Sequence, residues 1–174
     1  SKSQETSNKT AIAILGGGCF WCTEAVFEKI KGVSEVVSGY AGGKNENPTY
    51  KEICTGTTGH AEVIKIVFDP NVVSYEKILE IFGLCHDPTT LNRQGADVGT
   101  QYRSTIMYLS EEQKRIAEEW KKKWGDKFVD PAVTEIVKAP IFYKAEELIE
   151  LTKKYLLSVD KQSKNELYIS PIYD

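Results

Sequence analysis

A chain of 174 residues with 41% hydrophobic and 27% charged side chains has the composition of one folded domain with a core, which excludes a disordered or repeat architecture. The 22 basic and 25 acidic residues leave a net charge of −3, so no broad cationic surface is expected for nucleic acid or anionic lipid, and no apolar run reaches the roughly 20 residues of a membrane span. Four cysteines are too few for a disulfide scaffold, so their value lies in reactivity or burial.

Residues 1–10 are polar and aperiodic and read as a flexible lead-in; 11–174 read as a single domain, with 156–174 a polar tail. The apolar run 11–15 predicts a buried strand. After three glycines, 20–30 predicts a helix with Val26, Phe27 and Ile30 on its apolar face. The β-branched stretch 33–40 predicts a second strand, and 41–59, rich in Gly, Asn, Thr and Pro, a long loop. Alternation over 60–68 predicts a third strand. Ser74 is a candidate N-cap for a helix over 75–84 with Ile78, Leu79, Ile81 and Phe82 as its stripe. A second polar loop, 87–99, leads to a strand over 102–109. Ser110 and Gln113 form a capping box for a helix over 111–124. A strand over 133–138 and a helix over 145–156 complete the prediction. The first six elements run β-α-β-β-α-β, which predicts an α+β two-layer sandwich: a ferredoxin-like core, helices on one face, with C-terminal additions.

The sharpest chemical feature is Gly16-Gly17-Gly18-Cys19-Phe20-Trp21-Cys22. It places Cys19 between a strand end and a helix start, where free amides and the positive end of the helix dipole favour thiolate over thiol. Cys22 follows one turn later, in reach of a sulfenic acid or mixed disulfide on Cys19. A phosphate loop is rejected because the lysine and Ser/Thr that should follow the glycines are missing, and zinc because Cys54 and Cys85 are isolated singles. Phe20 and Trp21 point in different directions from adjacent helical positions, so at least one is expected to line an apolar pocket. Glu62, at the opening of the third strand, gains a raised pKa and can donate a proton if it is buried beside Cys19. Tyr50 and Tyr102, in the two long loops, offer hydroxyls to a polar oxygen, and Asp97 lies in the second loop.

Gly18-Cys19-Phe20-Trp21, Gly39-Tyr40 with Gly42-Gly43, Asn47-Pro48-Thr49-Tyr50, Thr58-Gly59-His60-Ala61-Glu62, His86-Asp87-Pro88 and Gly99-Thr100-Gln101-Tyr102-Arg103-Ser104 occur in this order. Together they resemble the peptide methionine sulfoxide reductases of the A type. The resemblance implies a two-layer fold around a ferredoxin-like core and reduction of methionine S-sulfoxide, free or in proteins. It implies Cys19 as nucleophile, Phe20 and Trp21 around the substrate methyl group, and Glu62 as acid assisted by Tyr50 and Tyr102. Asp97 falls on a further acidic position. No cofactor is implied beyond an external dithiol such as thioredoxin.

Two features depart from many relatives. Cys22 stands where they carry glycine, and no cysteine follows Cys85, so the usual C-terminal recycling cysteine is missing. Cys22 is therefore the first choice as resolving thiol, with Cys54 and then Cys85 as alternatives. A general thiol–disulfide oxidoreductase using Cys19 and Cys22 is the competing function. The protein is expected to be a monomer in a reducing cytoplasm, although the polar lead-in would equally suit a trimmed exported form.

Overall fold

The computed structural model describes residues 10–145 apart from 45 and 47, and the side chain of Tyr50 also lies outside the description. The lead-in up to residue 9 and the helix and tail expected beyond Ala145 therefore fall outside the described residues.

In chain order the elements are β1 (Ala11–Gly16), α1 (Phe20–Phe27), β2 (Val33–Ala41), α2 (Tyr50–Cys54), β3 (Ala61–Phe68), α3 (Tyr75–Cys85), β4 (Arg93–Gln94), β5 (Asp97–Val98), a 3-10 turn (Thr100–Tyr102), β6 (Thr105–Tyr108), α4 (Glu111–Gly125), β7 (Glu135–Lys138) and β8 (Tyr143–Lys144). One six-stranded sheet runs β7-β6-β1-β3-β2-β8. Its inner four strands, β6-β1-β3-β2, are antiparallel throughout, with α1 joining β1 to β2 and α3 standing between β3 and β6. This is the split β-α-β-β-α-β plan predicted from the sequence. Edge strands widen it: β7 lies parallel to β6 and β8 antiparallel to β2.

Strand alternation sorts the side chains into two layers. Ala13 and Leu15 of β1 and Ile64, Ile66 and Phe68 of β3 join Phe27, Leu79, Phe82 and Trp120 in the main core on the helical side. Ile14, Val63 and Met107 point the other way, into a smaller cluster under Val137 and Phe142. Glu62 shares its parity with Ile64 and Ile66, so the register of β3 turns it toward the helices.

Several predicted boundaries shift. The first helix stops at Phe27, and its buried residues are Phe20, Thr23, Glu24 and Phe27 rather than Val26 and Ile30. Glu24 can occupy that face because the Ser38 hydroxyl donates to its carboxylate. The loop 41–59 contains α2, which Thr49 caps by accepting from the Glu52 amide. That Thr-x-x-Glu spacing is the same capping-box pattern that announces α4. The strand expected over 102–109 is only β6, because Tyr102 ends a 3-10 turn; likewise β7 begins at Glu135. The loop 87–99 folds into the β4–β5 hairpin. Ser74 and Ser110 cap α3 and α4 as predicted, accepting from Lys77 and Gln113.

Candidate active site

The glycine turn delivers Cys19 to the N-cap of α1. Gly18 has φ of +85°, which a side chain would strain, and its amide donates to the Tyr102 carbonyl at 3.2 Å. The turn is thereby tied to the segment that presents Tyr102. Cys19 is partly buried, and the amides of Trp21 and Cys22 point at its sulfur. The Trp21 amide is one of the free donors of a helix start, while that of Cys22 also donates to the Cys19 carbonyl at 3.2 Å.

Glu62 is 3% exposed. Its carboxylate accepts from the Phe20 amide, the peptide that follows Cys19. In the antiparallel register Glu62 lies opposite Tyr40, which is fully buried, and the Tyr40 ring stands 5.7 Å from that of Phe20. Sheet and helix start therefore enclose the acid together. Burial above all, and the charge of Asp97 next, push its pKa up to about 8, so at neutral pH it holds its proton. This is the raised carboxyl expected from the sequence.

The thiolate expectation is corrected. Burial, the largest influence, pushes the Cys19 pKa up to about 12. The amides of Trp21 and Cys22 pull it down, Glu62 and Cys22 push it up, and burial prevails. At neutral pH the sulfur is a thiol. The helix start favours an anion, but Cys19 packs against the apolar core, and the loss of water there outweighs the amides.

Tyr102 closes the arrangement. Its hydroxyl is raised to about 12, first by burial and then by the charges of Glu62, Asp97, Cys54 and Cys19. One phenol thus lies in the field of Cys19, Glu62 and Asp97 together. Asp97 is exposed on β5 and reaches the site as a charge. Tyr50 opens α2, but its side chain lies outside the description. Phe20 and Trp21 stack with rings 5° from parallel and centroids 6.5 Å apart. Phe20 is part of the core, and Trp21 is half-buried at its rim.

The remaining cysteines differ in access. All four are free thiols. Cys22 is exposed one turn from Cys19 and close enough to act on its titration. Cys54 is exposed at the end of α2 and acts on Tyr102. Cys85 packs against the core at the end of α3 and donates to the Phe82 carbonyl at 3.3 Å. Sequence reasoning assigned no role to Tyr40 or His86, although both stand in the quoted motifs. Tyr40 is found by pairing β2 with β3, which requires the register.

The model of the family "Peptide methionine sulfoxide reductase" matches residues 11–169. The chain is 61% identical over 136 residues to the peptide methionine sulfoxide reductase MsrA of Sulfolobus acidocaldarius, covering 78% of this chain and 77% of that one. Among solved structures, methionine sulfoxide reductase A of Corynebacterium diphtheriae is 33% identical with a TM-score of 0.76, covering 97% of this chain and 81% of that one. The structure of Mxr1 from Saccharomyces cerevisiae in complex with Trx2 is 28% identical with a TM-score of 0.55, covering 81% and 84%. On the family match, the identity to MsrA and the shared fold, the chain belongs to the peptide methionine sulfoxide reductases of the A type, MsrA, oxidoreductases that reduce methionine sulfoxide.

Proposed function

We propose that Cys19 attacks the sulfur of methionine S-sulfoxide, free or in proteins, while Glu62 protonates the departing oxygen. The observation that carries this reading is the Phe20 amide on the Glu62 carboxylate, which sets a protonated acid one peptide from the nucleophile. A sulfoxide oxygen leaves only once protonated, and an acid kept neutral near pH 7 by burial can supply that proton. Glu62 gives its proton to the oxygen and recovers one from the Cys19 thiol. The protonated oxygen passes from the substrate sulfur to the Cys19 sulfur: the substrate S–O bond and the new bond between the two sulfurs break as the Cys19 S–O bond forms, so methionine departs reduced by two electrons and Cys19 is left oxidised as a sulfenic acid. Tyr102, with Tyr50, donates to the sulfoxide oxygen, and the charge of Asp97 helps keep Glu62 protonated. The parallel rings of Phe20 and Trp21 form the apolar wall for the substrate methyl group.

Cys22 then condenses with the sulfenic acid, releasing water and forming a disulfide. Its exposure and its proximity to Cys19 support it over Cys54, and the bond from Cys85 to Phe82 places that thiol last. An external dithiol reduces the disulfide and is itself oxidised. The likeness to the Mxr1–Trx2 complex supports thioredoxin in that role. The deciding experiment is Cys19→Ser assayed on a methionine sulfoxide peptide with dithiothreitol. Activity should vanish, one sulfoxide epimer alone should be consumed by the wild type, and retained turnover in the variant would refute the assignment. Insulin reduction without sulfoxide reduction would instead favour the general disulfide oxidoreductase.

A further inference from the structure

His86 follows α3 as its C-cap, outside the set of groups placed around the substrate. Its ring stacks on Phe82 with centroids 3.8 Å apart and lies nearly parallel to Trp120 at 6.4 Å. Nδ1 is within hydrogen-bond distance of the Phe82 carbonyl, and Nε2 is 2.7 Å from the Ser104 hydroxyl. Ser104 Oγ is in turn 2.8 Å from Thr134 Oγ1, and both residues are buried. A carbonyl can only accept, so Nδ1 carries the proton. Burial, the dominant influence, lowers the His86 pKa to about 4, which keeps the ring neutral and leaves Nε2 as an acceptor. The chain of donors then has one direction: Thr134 hydroxyl to Ser104, Ser104 hydroxyl to Nε2, and Nδ1–H to Phe82.

The ring so fixed lies directly under the catalytic turn. A Cβ on Gly17 would stand 2.8 Å from Cδ2 of His86 and 2.9 Å from its Cγ. Two residues on is Cys19. From the other side, Ser104 lies two residues after Tyr102, whose carbonyl accepts from Gly18. The Ser104 carbonyl accepts from Glu135 and anchors that segment to β7. One imidazole therefore joins the end of α3, the turn bearing Cys19 and the segment bearing Tyr102.

We propose that His86 is a positioning residue for sulfoxide reduction: its neutral ring, held between Phe82 and Ser104, is the floor that sets the Gly17–Cys19 turn in register with Tyr102. This rests on the reading of Cys19 and Tyr102 as partners in the reaction. A displacement of the order of an ångström at the reacting atoms is enough to cost a large factor in rate.

The test pairs His86→Phe, which keeps an aromatic floor and removes both hydrogen bonds, with Ser104→Ala, which keeps the ring and removes its donor. Steady-state kinetics on a methionine sulfoxide peptide should show kcat reduced about tenfold or more in His86→Phe and severalfold in Ser104→Ala, with KM within about twofold of wild type. The double variant should be no slower than His86→Phe, because Ser104 acts through the ring. Nitrogen-15 shifts of the wild-type ring at pH 7 should report the Nδ1–H tautomer, and Ser104→Ala should move the Nε2 resonance. Wild-type kcat in a folded His86→Phe, additive losses in the double variant, or an Nε2–H tautomer would each overturn the proposal. Should His86→Phe not fold, Ser104→Ala decides alone, by its kcat and the Nε2 shift. Failure of the underlying reading looks different: it shows as activity surviving Cys19→Ser.

Discussion

The start of α1 and the end of α3 each hold a partly buried cysteine, and burial raises both, Cys19 to about 12 and Cys85 to about 11. Their surroundings differ. The amides of two following residues converge on Cys19, whereas Cys85 has only its own amide and spends its S–H on the Phe82 carbonyl. At a helix N-terminus the free backbone groups are donors and favour an anion; at a C-terminus they are acceptors and hold a thiol as a thiol. Resting acidity therefore does not separate the two thiols. In the proposed reaction the distinction lies in what can stabilise charge once substrate arrives: donors for the Cys19 sulfur, and a protonated Glu62 for the oxygen.

Removing each thiol in turn should give the largest contrast. Cys19→Ser should reduce sulfoxide turnover to background, while Cys85→Ser should stay within about twofold of wild type, the range of a substitution that touches no reacting atom. Comparable losses in both would erase the difference between the helix ends. Next in size, Glu62→Gln should slow turnover roughly 10²–10³-fold, the usual worth of a general acid. Cys19 alkylation by iodoacetamide should survive in that variant, and above pH 8 it should be faster than in wild type, because the Glu62 charge that opposes ionisation is gone. Alkylation collapsing along with turnover would show that Glu62 shapes the site rather than donating a proton.

The pH dependence sharpens the same point. Sulfoxide reduction should decline above about pH 8 as Glu62 gives up its proton, while Cys19 alkylation keeps climbing. Folded Glu62 binds more protons than the unfolded chain between 4.5, its ordinary value, and about 8. Its contribution to stability is therefore present below 4.5 and lost as pH rises through that window, by an amount on the order of a few kcal/mol. Urea melts of wild type and Glu62→Gln across the window should differ by that slope; parallel curves would contradict a buried acid.

Smaller effects are expected at the second thiol and at the α2 cap. Cys22→Ser should still complete one turnover, but should leave a sulfenic acid that dimedone traps and should recycle several times more slowly with a dithiol. Disulfide mapping of the wild type after one equivalent of sulfoxide should give the Cys19–Cys22 bond, and a Cys19–Cys54 bond would reassign the resolving role. Thr49→Ala should cost about 1 kcal/mol of local stability by uncapping α2. Because Tyr50 opens that helix, KM should rise in step.

Much of this was legible in the residues. Alternation over β3 puts Glu62 on the same face as Ile64 and Ile66, and the glycines before Cys19 mark a strand-to-helix turn. The α2 helix, five residues long among Gly, Asn and Pro, is too short to show a hydrophobic period, although Thr49 and Glu52 carry its cap. β8 is two residues on a sheet edge and has no pattern of its own. The pairing of Tyr40 with Glu62 and the contact of His86 with Gly17 join residues about 20 and 70 positions apart, and no local periodicity encodes them.

The residues alone carry the order of the six core elements, the ordered motifs of the family and the identity of the chemical groups, because hydrophobic period, capping residues and turn glycines act over a few neighbours. The tertiary structure alone decided their protonation: how deeply Glu62 and Cys19 are removed from water, and which charges and amides face them, depends on layers brought together from distant parts of the chain. Desolvation grows with everything packed around a group, so it became readable only when the sheet and helices had closed over the site.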